Sequence, residues 1–148
     1  MWGTLFEKEV LPQTFNFILS SCILKNIFKY GNIKAMNNDI LNTITEKVYF
    51  SAKKVLGDKL IKVILFGSYA RGNNDNESDI DFFILANIEL NEIRKISSAI
   101  GELISHLELE YDVVISIHTV SSSNFFEYRK ILPYYMNIEK EGIELSYA

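Results

Sequence analysis

The chain has 148 residues, of which 48% are hydrophobic and 23% are charged; these values are typical of one globular domain and exclude a disordered chain. Its 15 basic and 19 acidic residues give a net charge of −4, which argues against a broad basic surface and against stable binding of nucleic acid. The single cysteine, Cys22, excludes an intrachain disulfide framework and suits the reducing cytoplasm.

The most apolar stretch lies near the N-terminus, at residues 15–28. It is shorter than the roughly 20 residues that a membrane-spanning helix needs, and Asn16 and Lys25 interrupt it. No basic segment precedes it, as a secretory signal would require, so we expect an amphipathic helix and no membrane insertion. The well-patterned part of the chain begins after Met36. Residues 1–35 are therefore predicted to be an accessory helical segment or an upstream extension, and residues 36–148 the main domain.

The following segments alternate between helical and extended patterns. Apolar residues recur at helical spacing over residues 38–56, and Gly57 is expected to end that helix. The run LIKVILF, residues 60–66, is short, β-branched and apolar, which predicts a strand that is covered on both faces. A glycine–serine turn and a polar loop lead to a second predicted strand, DIDFFILA, at residues 79–86.

The C-terminal half repeats this alternation. Helical spacing returns over residues 89–107, and YDVVISIHTV, residues 111–120, predicts a third strand. Asn124 and Glu127 resemble a capping box that would start a helix, and a last helix over residues 133–142 is bounded by a proline and a glycine. The order helix, strand, strand, helix, strand, helix predicts an α+β domain, close to α/β in pattern, in which helices cover a small sheet.

Two aspartates share one face of the second predicted strand. Because side chains alternate along a strand, Asp79 and Asp81 project from the same side, about 7 Å apart, while Ile80 points into the core. Two such carboxylates repel each other and lose hydration, so the pair predicts a bound cation. Asp112, at the start of the third predicted strand, is a candidate third member if the two strands lie side by side. Three oxygen ligands suit Mg²⁺ or Mn²⁺, and two ions can hold the attacking and leaving oxygens of a phosphoryl displacement.

The turn before this strand supplies groups that suit phosphate. Gly67 lets the backbone approach a ligand closely, and Ser68 offers a hydroxyl and a backbone N–H at the start of a short helical turn. Arg71 either adds a charged fork to the same phosphates or braces the loop by pairing with Asp75 or Asp79. The whole stretch therefore predicts a phosphate cradle joined by a loop to a metal-binding strand, which is nucleotide chemistry.

The remaining candidate side chains are assigned to packing. His106 and His118 show no metal-ligand spacing and are expected at the surface or in packing contacts. The aromatic pairs at 125–126 and 134–135 are predicted to be core and interface residues rather than a platform for a nucleotide base.

The stretch GSYARGNNDNESDID, residues 67–81, resembles the signature of the minimal nucleotidyltransferases of the DNA polymerase beta superfamily. In that signature glycine–serine is followed, after ten residues, by Asp-x-Asp, as it is here. The flanking ARG and SD elements match as well, YDVVIS lies where the family keeps its third carboxylate, and the closing NIEKEGIEL resembles the usual end of these proteins. The resemblance covers residues 36–145, and residues 1–35 have no counterpart.

This resemblance implies a mixed sheet of three to four strands backed by helices, with ATP and two Mg²⁺ ions on its open face. Asp79 and Asp81 would ligate both ions, Asp112 would ligate the catalytic ion and help to deprotonate the attacking hydroxyl, and Gly67 and Ser68 would hold the terminal phosphates. The implied reaction is transfer of AMP from ATP to a hydroxyl with release of pyrophosphate. Many small members are antitoxins that transfer AMP onto a tyrosine of a HEPN-domain ribonuclease toxin.

Size and charge guide the choice of acceptor. Family members that modify antibiotics or tRNA ends carry added domains that hold the acceptor, and this chain has no residues left to build one. We therefore expect the acceptor on another macromolecule or on a second copy of the chain, and the acidic balance makes tRNA the poorer choice. The favoured hypothesis is an antitoxin that AMPylates a HEPN toxin. Two alternatives stay open: an antitoxin that acts by occlusion alone, and a small-molecule nucleotidyltransferase of the aminoglycoside-modifying kind that works as a dimer.

Overall fold

A computed structural model of the protein describes residues 38–75 and 77–147. The chain divides into two units, residues 1–34 and residues 35–148, and all of the described residues belong to the second. The predicted helix at residues 15–28 and the role of residues 1–35 lie outside the described residues, so the predicted division of the chain stays a prediction. Within the described part, no helix has the length and apolar character needed to cross a membrane.

Five α-helices and four strands follow one another along residues 38–145. In chain order they are α1 (Asn38–Leu56), β1 (Leu60–Phe66), α2 (Gly67–Arg71), β2 (Ile80–Ala86), α3 (Ile93–Tyr111), β3 (Ile115–Ser121), α4 (Ser122–Tyr128), α5 (Pro133–Glu141) and β4 (Ile143–Leu145). Short 3₁₀ turns at Gly57–Lys59 and Leu90–Glu92 precede β1 and α3. The elements predicted within residues 38–142 are present, including a helix close to the predicted start at Asn124, and β4 is additional.

The four strands form one mixed sheet in the order β3-β2-β1-β4. β1 runs antiparallel to both β2 and β4. β2 and β3 are parallel and are joined through α3, since parallel neighbours need a long crossover connection. β2 is an inner strand and almost entirely buried, which explains why its sequence is apolar on both faces. The predicted α+β architecture with a small mixed sheet is confirmed.

The two faces of the sheet bury different sets of side chains. One face packs against α1 and α3 through a core that includes Val63, Leu65, Ile80, Phe82, Ile84, Ile44, Val48, Ile100 and Leu107. The other face packs against α4 and α5 through a smaller cluster of Ile64, Phe83, Leu85, Phe125, Tyr135 and Ile138. Because side chains alternate along β2, Asp81 lies on the second face together with Phe83, and Ile80 points into the main core as predicted.

The third strand begins later than predicted, at Ile115. The apolar helical period of α3 continues to Tyr111, and Asp112 then ends the helix in the left-handed conformation with φ 53°. The backbone N–H of Val113 donates to the carbonyl of Glu108 at 3.2 Å, which closes the last turn. Aspartate tolerates this conformation better than most residues, so the helix ending takes Asp112 out of the strand.

The capping box predicted at Asn124 and Glu127 is wrong. α4 begins before it, at Ser122, and no side-chain hydrogen bond caps the helix. The side-chain oxygen of Asn124 instead accepts a hydrogen bond of 2.7 Å from the hydroxyl of Tyr135, which ties α4 to α5. Pro133 opens α5 as predicted, because its fixed φ suits a first helical position.

Candidate active site

The predicted site residues gather at the end of the sheet where β1 finishes and β2 begins. Phe66, the last residue of β1, is the cross-strand neighbour of Asp81, and Asp79 directly precedes the first residue of β2. Because the two strands are antiparallel, Gly67 and Ser68 at the end of β1 lie at the same end of the sheet as the start of β2, which the chain reaches through α2 and the loop that follows it. The structure therefore brings four of the predicted residues together at one end of the sheet.

Gly67 and Asp81 lie against each other. Gly67 has a left-handed φ of 74°, and a Cβ atom placed on it would overlap the carboxylate of Asp81, whose Cγ would lie 3.3 Å away. Any other residue at position 67 would strain the backbone and displace that carboxylate. Gly67 and Ser68 are also the first residues of α2, so their backbone N–H groups have no partner inside the helix.

The surroundings of Asp81 disfavour its charged form. Burial raises the pKa of the Asp81 carboxyl; the charge of His118 lowers it, that of Asp79 raises it, and that of Arg71 lowers it, with a net rise. A cation bound beside the two carboxylates would reverse this balance by favouring the ionised form. The pair is therefore suited electrostatically to a bound positive ion.

Arg71 extends from the end of α2 towards α5. Its Nη1 atom lies 3.5 Å from Oε2 of Glu141, and both side chains are well exposed, so the ion pair contributes little to stability. Arg71 is also close enough to Asp81 to lower the pKa of that carboxyl. Within the described residues, the ion pair of Arg71 is therefore with Glu141 of α5. The alternative prediction, in which Arg71 braces the loop, required an ion pair with Asp75 or Asp79.

The loop between α2 and β2 is organised by Asp75 itself. Oδ1 of Asp75 accepts hydrogen bonds from the hydroxyl of Ser78, at 2.7 Å, and from the backbone N–H of Glu77, at 3.1 Å. These two bonds lower the pKa of the Asp75 carboxyl, and they shape the turn that leads into Asp79.

Asp112 lies apart from this group. Asp81 is the neighbour of Ser116 in the parallel pairing, and the pairing of β2 with β3 begins at Ile115, so Asp112 precedes the paired residues. Among residues 38–75 and 77–147 no three His, Cys, Asp or Glu side chains are grouped closely enough to hold a metal ion. The three carboxylates therefore do not converge in this arrangement, because the end of α3 takes Asp112 out of the strand. Its role as a ligand stays a prediction.

The donor set that does converge fits Mg²⁺ in combination with a substrate. Asp79 and Asp81 supply two carboxylates, and Mg²⁺ is commonly held by one or two carboxylates together with substrate phosphates and water. The Gly67 turn lies directly against one of these carboxylates, where phosphate oxygens could reach both groups. The residues thus suit a metal–nucleotide complex rather than a metal bound by the protein alone.

Two residues assigned to packing from the sequence also belong to this region. Side chains alternate along β3, so His118 lies on the same face as Ser116, the neighbour of Asp81. The His118 ring contacts Phe66, with centroids 5.4 Å apart, and Tyr134 of α5, with centroids 6.1 Å apart.

Tyr134 is the part of α5 that reaches the carboxylates. Burial raises the pKa of the Tyr134 hydroxyl to about 12, with smaller contributions from Tyr135 and Asp81. The alternation of side chains along β3 could have indicated from the sequence which face His118 occupies. The order of the strands is also needed to show that this face is the one that carries Asp81.

Comparison with known proteins places the chain in a family. The family model described as nucleotidyltransferase domain matches residues 51–144. The chain is also similar to three proteins of Methanocaldococcus jannaschii, each named a putative protein adenylyltransferase. Identity to MJ0141 is 47% over 62 residues, 42% of this chain and 61% of that protein. Identity to MJ1305 is 43% over 51 residues, covering 34% and 35% of the two chains, and identity to MJ0604 is 34% over 84 residues, covering 57% and 76%.

Two solved structures are similar at low identity. A crystal structure of a mutant of the toxin–antitoxin MntA–HpeT gives a TM-score of 0.43 at 22% identity, over 68% of this chain and 71% of that chain. A crystal structure of the toxin–antitoxin with AMP-PNP gives 0.42 at 20% identity, over 70% and 73%.

The range matched by the family model covers the candidate site. The matched range includes the glycine–serine turn, Asp79, Asp81 and the whole of β1, β2 and β3. It covers more than half of the chain. The protein belongs to the nucleotidyltransferase domain family, as residues 67–81 predicted.

Proposed function

We propose that the protein is a Mg²⁺-dependent adenylyltransferase that transfers AMP from ATP to a hydroxyl of a partner protein. The observation that carries this proposal is the contact between Gly67 and Asp81, which joins a turn suited to phosphate to the carboxylate pair. Membership of the family supports the reaction class. The names of the three relatives, each called a putative protein adenylyltransferase, support AMP as the transferred group and a protein as the acceptor.

The chain's own residues suggest how the reaction is supported. Asp79 and Asp81 would hold Mg²⁺, which offsets phosphate charge when it is bound. Gly67 and Ser68 would donate backbone N–H groups to the terminal phosphates, and Arg71 would turn from Glu141 towards them. The acceptor oxygen attacks the α-phosphorus, the bond to the pyrophosphate oxygen breaks, and the hydroxyl proton passes to water.

The predicted role of Asp112, as a ligand of the catalytic ion, is kept here only as part of this proposal. Its place at the end of α3 gives that role no support, so the residue needs its own test. Asp112→Asn should abolish transfer if the carboxylate is a ligand of the catalytic ion. Activity within a few-fold of wild type would exclude it from the site.

The partner that we propose is a HEPN-domain toxin in the cytoplasm, with a tyrosine as the modified residue, as the resemblance of residues 67–81 implies. Exposed apolar side chains near the site support a protein partner. Ile131, just before α5, is 68% exposed, and Met136, in the first turn of α5, is 49% exposed. Such apolar surfaces commonly bind other proteins.

One experiment separates catalysis from neutralisation by occlusion. The candidate partner to be tested is the product of the neighbouring gene. Its toxicity is measured in cells that co-express the wild type or the Asp79→Asn/Asp81→Asn variant. We expect the variant to lose neutralisation while still binding the partner. Asp58→Asn, on the exposed turn before β1, is the matched control and should neutralise normally. Full neutralisation by the double variant would favour occlusion, and AMP found on an aminoglycoside in place of the partner would favour the small-molecule alternative.

A further inference from the structure

The backbone that joins Asp79 to Asp81 is held by the first residues of β3. The N–H of Ile80, the residue between the two aspartates, donates to the carbonyl of Val114 at 2.9 Å. Ile80 is also the parallel neighbour of Ile115, and its side chain is fully buried. The two carboxylates therefore project from a backbone segment whose position depends on where β3 begins.

The start of β3 lies at the edge of the sheet. Among the strands of residues 38–147, β2 is the one neighbour of β3. Successive residues of a strand direct their backbone groups to opposite sides, so the carbonyl of Val114 faces β2 and the N–H of Ile115 faces the outer side. Ile115 is buried, so this N–H needs an acceptor that no strand provides.

Glu108, in the last turn of α3, supplies that acceptor. Its Oε1 atom accepts a hydrogen bond of 2.9 Å from the N–H of Ile115 in a partly buried setting. Its backbone carbonyl accepts hydrogen bonds from the N–H groups of Asp112 and Val113. One residue therefore binds the backbone at both ends of the short connection between α3 and β3.

The position of Glu108 is unfavourable for the helix itself. A negative charge in the last turn opposes the helix dipole, and that turn carries no basic residue. Glu110 carries the same charge on an exposed side chain two residues later. The carboxylate of Glu108 differs in that it reaches β3, and a hydrogen bond to a charged acceptor is roughly twice as strong as a neutral one.

We infer that Glu108 is a positioning residue for Asp79 and Asp81. It fixes the start of β3 and, through the hydrogen bond between Val114 and Ile80, the backbone from which the two carboxylates project. The inference rests on the proposed function for the role of the two aspartates as metal ligands. Without the Glu108 bond the start of β3 moves more freely at the sheet edge, and the two carboxylates hold a metal–nucleotide complex less well.

Two substitutions at position 108 separate the hydrogen bond from the charge. Glu108→Gln keeps a carbonyl oxygen at the same reach and loses the charge, whereas Glu108→Asp keeps the charge on a shorter side chain. Glu110→Asp is the matched control, because it makes the same change in the same helical turn.

Amide hydrogen exchange, measured by NMR on the metal-free full chain, is the first readout. Glu108→Asp should speed exchange at Ile115 and Ile80 about tenfold, as the loss of one hydrogen bond to a charged group implies. Exchange at Leu65 of β1 should not change, which shows that the fold is intact. Glu108→Gln and Glu110→Asp should stay near wild type at all three amides.

The affinity for Mg²⁺ together with a non-hydrolysable ATP analogue, measured by calorimetry, is the second readout. Glu108→Asp should weaken this affinity roughly threefold to tenfold, because the carboxylate pair is held less firmly. Glu108→Gln should bind nearly as well as wild type, since its oxygen still accepts from Ile115. Glu110→Asp should bind as wild type.

The outcomes distinguish this inference from the proposed function. Unchanged exchange at Ile80 in Glu108→Asp would overturn the inference, as would equal affinities in Glu108→Asp and Glu110→Asp. Glu108→Gln binding as weakly as Glu108→Asp would also overturn it, because the charge and not the hydrogen bond would then be decisive. Failure of the wild type to bind the analogue with Mg²⁺ would overturn the proposed function, and with it the inferred effect of Glu108 on binding, whatever the exchange rates show.

Discussion

Gly67 and Asp81 constrain each other because the glycine leaves free the volume that the carboxylate fills. The backbone at Gly67 is left-handed, with φ 74°, which glycine adopts at little cost and other residues do not. One residue therefore serves two purposes at the site. It turns the chain sharply after β1, and it lets the turn and the carboxylate occupy adjacent positions.

Gly67→Ala should reduce AMP transfer by at least about tenfold, because the new methyl group displaces Asp81, and the left-handed backbone should cost about 1–2 kcal/mol of stability. Gly72→Ala is the matched control, since Gly72 has a similar φ of 70° but nothing within 4 Å of an added Cβ. Chemical denaturation should give similar stability losses for both variants, while the transfer assay should separate them. Equal activity losses in the two variants would show that the contact with Asp81 is unimportant.

The raised pKa of Asp81 makes a prediction about pH. Burial makes the carboxyl hold its proton more tightly in the folded protein than in the unfolded chain. Its contribution to stability is therefore present below the ordinary aspartate pKa and is lost as the pH rises through the folded-state pKa. At neutral pH without metal, the ionised carboxylate is destabilising.

Asp81→Asn should consequently raise the melting temperature of the metal-free protein at pH 7, and the gain should shrink as the pH falls into the acid range. Calorimetry across this pH range measures the effect, with Asp58→Asn as an exposed control that should change little. A lower melting temperature for Asp81→Asn at pH 7 would contradict the electrostatic account of the site.

At the scale of elements, β2 fixes the position of the carboxylates. Its side chains are almost all buried, with one face in each core, and it pairs with a strand on both sides. The polar residues at its start are thereby held between two neighbouring strands. Loss of packing under β2 should disturb the fold and the site together.

Phe82→Ala should cost about 3–5 kcal/mol of unfolding free energy, because Phe82 is fully buried in the main core and its removal leaves a cavity. Phe126, 56% exposed on α4, offers a matched control, and Phe126→Ala should cost about 1 kcal/mol or less. Urea denaturation compares the two variants. Similar losses would mean that the core under β2 is not as tightly packed as this burial implies.

The sequence was most informative where local pattern and buried surface agree. The strand at residues 60–66 was predicted with its observed limits, because a short β-branched run between turn residues has few alternatives. The end of α3 was not predictable in the same way, since helical and extended patterns overlap around Asp112. The position of His118 beside Asp81 depends on β2 and β3 being parallel neighbours. That pairing is a tertiary property, and no local pattern encodes it.

At the scale of the whole molecule, strand order distributes the proposed roles across the sheet. The proposed phosphate turn follows β1, Asp81 belongs to β2 and Asp79 directly precedes it, and the rings of His118 on β3 and Tyr134 on α5 lie beside them. Helices α1 and α3 cover the opposite face, so they can stabilise the sheet without obstructing the site. The exposed apolar residues beside Tyr134 would give the proposed protein acceptor a surface on which to dock.

Mg²⁺ and ATP together should raise the melting temperature of the wild type. A ligand at about 100 times its dissociation constant stabilises a protein by about 2.7 kcal/mol. The Asp79→Asn/Asp81→Asn variant should lose this shift, because it lacks the carboxylates that we propose as metal ligands. Thermal melting with ATP, with Mg²⁺ and with both tests the coupling, and an equal shift from ATP alone would contradict a metal-dependent site.

The most direct test of the central claim is the intact mass of the neighbouring gene's protein after incubation with this chain, ATP and Mg²⁺. We predict a mass gain of one or more AMP units on that protein, located on a tyrosine by peptide fragmentation. The gain should be absent with Asp79→Asn/Asp81→Asn. No mass gain with ATP or any of the other three ribonucleotides, despite formation of a complex, would contradict the account.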